Sequence, residues 1–425
     1  MADTLFTNVR IFDGTSRKTR AGEVRIAGNR IAALAKKGEQ LSRDGAALID
    51  GEGMTLMPGL INTHCHPSFT NYADVQELGD LPVEEHAIRA AANAKLLLDS
   101  GFTAFVSAAA SKPRLDIALR NMIDGGHIPG PRMRATTPEL TITGGFADSR
   151  RPGADKPAAG ICCDGAEEFR RTIRWLIGEG VDIVKFIVSG DSFGYPGVSS
   201  RIDPISEEEL RAICETTLGM GRRLAAHAHT DASVRACIKH GVEFIYHASY
   251  CTDATIEALA KVKDKHYVSP AIGVRYFAIH EGERWGLTPE MARTMGLVAE
   301  VEAAKITIPK LHRAGVKIVP FGDYGIAWTP HGSDCRDLQL MVDLFGMSNW
   351  EVLRAATAYG GEAFAGEPMG RIKKGYLADL LLVDGDPLAD LRVLEDRDNL
   401  AAIMLDGNFH KSPRPSRYVQ REAAE

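Results

Sequence analysis

Hydrophobic positions are spaced differently at the two ends of the chain than in its middle. Residues 1–57 contain short strand-like segments such as "TLFTNVRIFDG" and "GEVRIAGNRIAALA", broken by Asp-Gly and Gly-Asn pairs typical of turns. The segments "YLADLLLVDGDPL" and "LAAIMLDGNFH" near the other end have the same texture. We therefore predict one small β-sandwich domain, built from residues 1–57 and 366–425 together.

The central residues, 58–365, predict strands that alternate with helices. Helical stretches such as "SEEELRAICETTLGMG" begin with a Ser-x-x-Glu capping box, here Ser206 and Glu209. Eight apolar segments between the helices have the character of buried strands: "TLMPGLINTH", "FTAFVSA", "RMRATTPELTI", "VDIVKFIVSG", "RRLAAHAH", "VEFIYHAS", "HYVSPAIG" and "VKIVPFGD". This alternation predicts an α/β fold, a (β/α)₈ TIM-like barrel.

Candidate reactive residues follow from that barrel, because its chemistry lies at the carboxyl ends of the strands. His64 and His66 end the first strand, and the alternation of side chains turns both to one face and Cys65 to the other. Taken alone, a His-x-His pair is also a common polar strand end. Four further strands carry residues able to bind a metal or a proton, namely Lys185, His227 with His229, His247, and Asp323. Their coincidence favours a metal site.

Lys185 interrupts an otherwise apolar strand, where an unpaired charged lysine costs several kcal/mol. It either reaches the barrel mouth or a carboxylate, or it carries a carboxylate added from CO₂ and bridges two metal ions. His227 and His229 share a face, so alternation alone does not say which of them is a ligand. His247 has the alternative of a core imidazole, and Asp323 that of a turn residue.

Composition narrows the class of protein. The 425 residues carry a net charge of −6 with 25% charged residues, which leaves no basic surplus for nucleic acid. No apolar run approaches the roughly 18 residues of a membrane helix, and the amino-terminal residues lack a signal-peptide pattern. Seven cysteines without a C-x-x-C pair argue against a disulfide framework or a zinc–thiolate cluster. We expect a cytoplasmic protein with no membrane partner.

These motifs resemble those of the amidohydrolase superfamily, metal-dependent hydrolases on a (β/α)₈ barrel flanked by a β-sandwich. The resemblance covers nearly the whole chain and includes the tail "ADLLLVDGDPL". Of the two strand-five histidines, it favours His227 as the ligand. The implied metal ligands are His64, His66, Lys185, His227, His247 and Asp323.

The resemblance also implies the cofactors and the chemistry. Two divalent ions, zinc in preference to cobalt or manganese, would be bridged by Lys185 carrying a CO₂-derived carboxylate. A metal-bound hydroxide would attack a carbonyl, and Asp323 would move the proton to the departing nitrogen. Lys185 and Asp323 are thus the implied catalytic residues of a hydrolase that cleaves the C–N bond of an amide, carbamate or urea.

Within the superfamily, the chain resembles prolidase-like dipeptidases, ochratoxin-type amidases, and phenylurea and thiocarbamate (molinate) hydrolases. Two positions depart from the dipeptidases: His229 replaces a tyrosine, and Phe146 in "TGGF" replaces a histidine. These changes favour a small, partly apolar, neutral substrate. Arg275, together with Arg150 and Arg151, keeps open a dipeptidase or an N-acyl-amino-acid amidase; the alternative for Arg275 is a solvated surface residue.

Further substrate contacts are expected from loops above the strands. Ser68, Tyr324, Trp328 and His331 are candidates, with turn formation or loop packing as the alternative for each. A non-catalytic scaffold is disfavoured because all the implied ligands are present. A one-metal deaminase is disfavoured because "AHAHTDAS" offers no glutamate. We expect a homo-oligomer that acts on a small molecule.

Overall fold

The computed structural model describes residues 3–36, 38–150, 159–194 and 199–418. The chain divides into two compact units. The first comprises Met1–Asn62, Lys95–Ala104 and Met347–Glu425, and the second comprises Thr63–Ala94 and Phe105–Gly346. In the described residues, no helix is both long enough and apolar enough to cross a membrane.

The described residues form the following strands and α-helices, numbered in chain order. The strands up to the middle of the chain are β1 (Asp3–Ile11), β2 (Arg20–Ala27), β3 (Arg30–Leu34), β4 (Ala46–Asp50), β5 (Thr55–Pro58), β6 (Leu60–Cys65), β7 (Phe102–Ser107), β8 (Arg132–Arg134), β9 (Leu140–Thr141) and β10 (Ile161–Cys162). The later strands are β11 (Ile183–Ile187), β12 (Arg223–Thr230), β13 (Phe244–Tyr250), β14 (Tyr267–Ser269), β15 (Lys317–Ile318), β16 (Leu380–Val383), β17 (Leu400–Leu405) and β18 (Asn408–Lys411). The α-helices are α1 (Gln76–Asp80), α2 (Val83–Asp99), α3 (Leu115–Asp124), α4 (Ala166–Glu179), α5 (Glu207–Gly219), α6 (Asp231–His240), α7 (Asp253–Lys261), α8 (Ile272–Glu281), α9 (Pro289–Met295), α10 (Leu297–Arg313), α11 (Arg336–Phe345), α12 (Asn349–Arg354) and α13 (Gly360–Phe364).

The first unit contains a sheet made from both ends of the chain. Its order is β18-β17-β16-β5-β1-β2-β3, and β4 pairs with β1. The antiparallel β5–β16 pair places Leu382 opposite Leu56. Both side chains belong to a buried apolar cluster that also contains Phe6. Burial of this shared face joins the two sequence-distant segments.

The second unit is built on parallel strands that alternate with helices. Seven strands form one parallel sheet in the order β10-β9-β11-β12-β13-β14-β15. A separate sheet has the order β6-β7-β8, and the first residues of β6 and β7 belong to the first unit. Each of the eight predicted barrel segments contains at least one of these strands. The two-residue strand β10 was not predicted. The alternation is that of a TIM-type barrel.

Local sequence signals explain where several helices begin and end. The predicted capping box is present: the Ser206 hydroxyl accepts a hydrogen bond from the Glu209 amide, and the Glu209 carboxylate accepts from the Ser206 amide. Helix α4 ends at Gly180, which has a left-handed backbone (φ 110°) that glycine adopts most readily. Such ends fix where each helix returns the chain to the next strand.

Candidate metal centre

The six predicted metal ligands lie together in the second unit, at the carboxyl ends of its strands. Five of them are almost fully buried: His64 at the end of β6, His66 just after it, Lys185 on β11, His227 on β12 and His247 on β13. Asp323 follows β15, and its Oδ1 lies 3.1 Å from His64 Nε2 and 3.2 Å from His66 Nε2. Strands that are distant in sequence thus bring imidazole, amine and carboxylate groups into one cluster.

A second group of side chains adjoins these residues. Ligand atoms of Asp191, His227, His229 and His247 all lie within 4.8 Å of one another, as do those of His64, His247 and Asp323. Sequence reasoning missed Asp191. The available signal was its position, six residues beyond Lys185 in the loop that follows the same strand.

Aromatic stacking and hydrogen bonds hold His64 and His66. The His64 ring stacks on Tyr246 with centroids 3.7 Å apart, and its Nδ1 lies 3.4 Å from Ser269 Oγ. The His66 ring stacks on Phe69 at 4.1 Å, and its Nδ1 lies 3.4 Å from the Ala109 carbonyl oxygen. Each ring therefore has its Nε2 directed at Asp323, because the other nitrogen and the ring face are occupied.

The backbone is unusual where the site is built. His247 and Asp323 have positive φ angles of 79° and 56°, which are uncommon for residues other than glycine and cluster at functional sites. Gly322 (φ 143°) packs so tightly that a Cβ there would lie 2.6 Å from Ala271 Cβ and 2.9 Å from His64 Nδ1. Only glycine fits at this position beside His64.

Burial sets the protonation states of the cluster. It lowers the pKa of His64 to about 4 and the pKa values of His227 and His247 well below the usual value. Burial acts to raise the pKa of Asp323, but the charge interaction and hydrogen bonds with His64 and His66 outweigh it and hold that pKa well below its ordinary value. At neutral pH His64, His227 and His247 are therefore neutral imidazoles and Asp323 is a carboxylate, the forms in which these groups bind metal ions.

The cluster fits divalent metal ions. Within the described residues, the buried Nδ1 of His247 has no hydrogen-bond partner. A buried polar atom left unpaired costs free energy that a metal–nitrogen bond would recover. The donor set of imidazole nitrogens and carboxylate oxygens is one that zinc and similar ions accept.

Lys185 lies among these residues and does not reach the surface. Its side chain is 1% exposed, and Nζ lies 3.4 Å from Glu139 Oε1 and 4.9 Å from the Tyr246 ring centroid. The unmodified Lys185 side chain thus pairs with a carboxylate, which was one of the alternatives that the sequence left open. Glu139 was not predicted, because nothing in "PELTITGG" distinguishes it from a surface glutamate.

A cavity of about 630 Å³ opens onto the proposed ligands. It is lined by His66, Lys185, His227, His247 and Asp323 on one side. Its apolar lining includes Phe69, Phe146, Phe193, Trp285, Leu287 and Trp328. Phe193 stacks on Trp328 with centroids 5.8 Å apart, and Phe146 stacks on His227 at 4.8 Å. The cavity has the size and mostly apolar character of a small-molecule site.

Ser68, Tyr324 and His331, which were predicted as substrate contacts, are not among the cavity-lining residues of the described structure. The Ser68 hydroxyl accepts a hydrogen bond from the Ser111 amide at 2.9 Å. The Tyr324 hydroxyl donates to Asp337 Oδ1 at 2.9 Å. His331 Nε2 lies 3.0 Å from the Phe69 carbonyl oxygen. All three side chains stabilise loops.

The other predicted contacts are divided between the cavity and its surroundings. Phe146, Trp328 and Arg275 line it, whereas His229 lies in the buried cluster with Asp191. Arg275 is 2% exposed, so the alternative of a solvated surface arginine is wrong. Arg150 pairs with Asp148 at 2.6 Å, and Arg151 lies outside the described residues.

Comparison with known proteins gives the family. The model of the "Amidohydrolase family" matches residues 55–409. The chain belongs to the amidohydrolase family. Ochratoxinase of Aspergillus niger is 28% identical over 384 residues, which cover 84% of this chain and 76% of the relative. The family assignment confirms the resemblance and the prediction of a hydrolase acting on C–N bonds.

Solved structures share the fold of this amidohydrolase. A Xaa-Pro dipeptidase with bound methionine in the active site has a TM-score of 0.83 and 27% identity, covering 97% of this chain and 100% of that one. Molinate hydrolase has a TM-score of 0.74 and 18% identity, covering 100% and 99%. The likeness confirms the TIM-barrel class for the amidohydrolase.

Proposed function

We propose that this amidohydrolase cleaves the amide, carbamate or urea bond of a small, uncharged, partly apolar molecule at a two-metal centre. The cavity carries this proposal. Its walls include Phe146 and Trp328, and its lining extends to Lys185 and Asp323. An apolar group packed against aromatic side chains would bring its carbonyl to the metal centre.

The proposed ligands divide between two ions. One would be held by His64, His66 and Asp323, and the other by His227 and His247, with Lys185 bridging them. Bridging would require that Lys185 Nζ, as the free amine, attack the carbon of CO₂: an N–C bond forms while one C=O π bond breaks toward oxygen, and the nitrogen releases a proton to solvent to leave a carbamate. The unpaired Nδ1 of His247 supports the ligand assignment. Zinc is the expected metal, with cobalt or manganese as alternatives.

Asp323 would serve as the proton carrier. Bound divalent ions supply the Lewis acidity that polarises a carbonyl and lowers the pKa of an attacking water. Asp323 is ionised, since its pKa lies well below the usual value, so it can accept the proton of that water. It then delivers the proton to the departing nitrogen, which needs one to leave as an amine.

A dipeptidase or an N-acyl-amino-acid amidase is the second candidate. The names of the Xaa-Pro dipeptidase and ochratoxinase relatives favour it. Two observations weigh against it: Phe146, rather than a polar residue, lies beside His227, and the buried Arg275 is surrounded by carboxylates of the chain.

Four further features belong to the proposal. The sheet that contains both chain ends would form the β-sandwich, with residues 1–57 and 366–425 as one domain and 58–365 as the barrel. Lys185 would be carboxylated. The protein would be a homo-oligomer, and it would reside in the cytoplasm. The shared sheet supports the first of these.

Metal analysis and a substrate panel test the proposal together. Purified protein should contain about two divalent ions per chain, and Lys185→Ala should lose at least one of them and about 100-fold or more in kcat/KM. The matched control is Lys112→Ala, which removes a lysine that does not line the cavity and whose Nζ donates to the Leu78 and Gly79 carbonyls. The panel comprises anilides, phenylureas, carbamates, X-Pro dipeptides and N-acyl amino acids.

Two results would overturn the proposal. Metal-free protein or full activity of Lys185→Ala would exclude the two-metal centre. Cleavage restricted to dipeptides and N-acyl amino acids would exclude the neutral substrate in favour of the second candidate.

A further inference from the structure

Arg275, on α8, is surrounded by acidic side chains of the chain itself. Its Nη2 donates to Asp191 Oδ2, its Nε donates to Glu300 Oε2 at 2.7 Å, and its Nη1 lies 3.5 Å from Asp323 Oδ2. The side chains of Arg275, Asp191 and Glu300 are each at most 3% exposed. Every guanidinium nitrogen therefore faces a carboxylate, in a place that water scarcely reaches.

This arrangement leaves no room for a substrate carboxylate. Each nitrogen of the guanidinium already has a carboxylate partner, so none is left to donate to a carboxylate of the substrate. The chain would also have to break an existing charged hydrogen bond to receive it. Arg275 lines the cavity, but its positive charge is paired with the carboxylates of the protein itself.

The Arg275 guanidinium also indicates which members of the second group of potential ligands are available to a metal ion. Arg275 Nη2 lies 3.0 Å from His229 Nε2, which is itself 3.1 Å from Asp191 Oδ2. A divalent ion between Asp191 and His229 would lie against this cation, so those two residues are partners of Arg275. His227 and His247 are left for the metal centre, which agrees with the unpaired Nδ1 of His247.

Asp323 is fixed from both of its oxygens. Its Oδ1 faces His64 and His66, and its Oδ2 faces Arg275. Tilting the carboxylate out of its present plane would lose both sets of contacts. The guanidinium, itself anchored by Asp191 and Glu300, thus fixes the plane of the Asp323 carboxylate, with one oxygen held toward Arg275 and the other toward the ligand histidines.

We propose that Arg275 is a positioning residue that orients Asp323 for proton transfer and does not bind a carboxylate of the substrate. This inference rests on the proposed function, because Asp323 is the proton carrier there. It predicts that substitution of Arg275 slows turnover of charged and uncharged substrates alike.

A pair of amides that differ only in one carboxylate tests the proposal. N-benzoylproline and N-benzoylpyrrolidine are compared on zinc-loaded wild type, Arg275→Lys and Arg275→Gln. Arg275→Lys should lower kcat about tenfold and Arg275→Gln about 100-fold for both amides, with KM changed less than about threefold. A rise in KM of tenfold or more for N-benzoylproline alone would overturn it.

Two further variants keep the test decisive. Arg275→Gln combined with Glu300→Gln removes one cation and one anion together, so it serves where Arg275→Gln alone fails to fold; the same kcat-only loss is expected. Arg120→Lys is the control for the same substitution away from the cavity, because Arg120 forms a partly exposed bridge to Asp182 at 2.7 Å and does not line the cavity. Its kinetic constants should equal those of the wild type.

A binding measurement separates this inference from the proposed function. If wild type cleaves no member of the panel, the proposed function fails, but the affinity of the zinc-loaded protein for benzoate is still measurable by calorimetry. Equal affinity in wild type and Arg275→Lys, within threefold, supports Arg275 as engaged internally. A tenfold weaker affinity in Arg275→Lys would show that Arg275 binds carboxylates and would overturn the inference.

Discussion

Two buried carboxyl groups outside the proposed ligand set make stability depend on pH. Burial raises the pKa of Asp337 to about 8, although the Tyr324 hydroxyl donates to it. Burial likewise raises the pKa of Asp116 to about 6, against the hydrogen bonds from Ser107 and Thr136. Each group is neutral in the folded chain at pH values where the unfolded chain has already released the proton.

The sign of the effect follows from that difference. Between the ordinary value of 3.8 and about 8, the folded chain holds a proton on Asp337 that the unfolded chain lacks, so the free energy of unfolding falls as pH rises. Asp337→Asn has no such proton, and it should gain stability relative to wild type as pH rises across this window. Urea unfolding at pH 5, 7 and 8.5 measures the gain.

Asp116→Asn is the matched control for that series. The difference in the free energy of unfolding between Asp116→Asn and wild type should stop growing near pH 6, where the Asp116 pKa lies. The corresponding difference for Asp337→Asn should keep growing to about pH 8. A stability difference that does not change with pH would contradict the assignment of Asp337 as a neutral carboxyl group.

Gly322→Ala should damage the metal centre without a general loss of fold. The new Cβ would lie 2.6 Å from Ala271 Cβ and 2.9 Å from His64 Nδ1, so the His64 ring would have to shift from its place beside Asp323. We expect kcat/KM to fall about 100-fold and the metal content to decrease, measured by kinetics and elemental analysis. Gly180→Ala is the control: φ is 110° but the nearest atom lies 3.7 Å away, so it carries backbone strain without the collision. Equal losses in both variants would contradict this explanation.

The proposed ligands could be found from the sequence because strand alternation is a local property. His64 and His66 are two residues apart on one strand, and the same rule placed His227 and His229 together. The loop residues could not be placed this way. Tyr324 reaches Asp337, thirteen positions later, and Ser68 meets Ser111, so their directions depend on contacts distant in sequence.

At the scale of elements, helix beginnings were more predictable than short strands. The capping box at Ser206 is recognisable in four letters and is present in the fold. Strand β15 has only two residues, Lys317–Ile318, although "VKIVPFGD" reads as a longer strand. The chain leaves the ladder early because Phe321, Gly322 and Asp323 all take positive φ to build the site. The backbone turn that brings Asp323 to the site thus leaves β15 short.

Ser206→Ala tests how much the capping box contributes. It removes the side-chain acceptor at the start of α5, so the free energy of unfolding should fall by about 1 kcal/mol while kcat/KM is unchanged. Denaturant unfolding measures the loss. Ser206→Thr retains the hydroxyl and should lose less than half as much; an equal loss in both variants would contradict the cap as the cause.

At the scale of the molecule, the sheet of the first unit depends on β16 as much as on the amino-terminal strands. Leu382 is 1% exposed and lies between Leu56 on β5 and Ala402 on β17. Leu382→Ala should therefore lower the free energy of unfolding by about 2–5 kcal/mol, measured in denaturant. Leu218→Ala, at a leucine that is 49% exposed, should change it by less than about 0.5 kcal/mol. Similar losses in the two variants would contradict the role of the shared sheet.

The pairing of β5 with β16 also has a consequence for synthesis on the ribosome. Pro58 ends β5 and Leu380 begins β16, so about 320 residues are translated between the two partners. At about 5–20 residues per second, β5 waits roughly 15–65 s for its neighbour. During that interval the apolar strands of the nascent amino-terminal segment lack their partner, and chaperones that hold exposed strands should associate with ribosomes that have passed Pro58 but not yet reached Leu380.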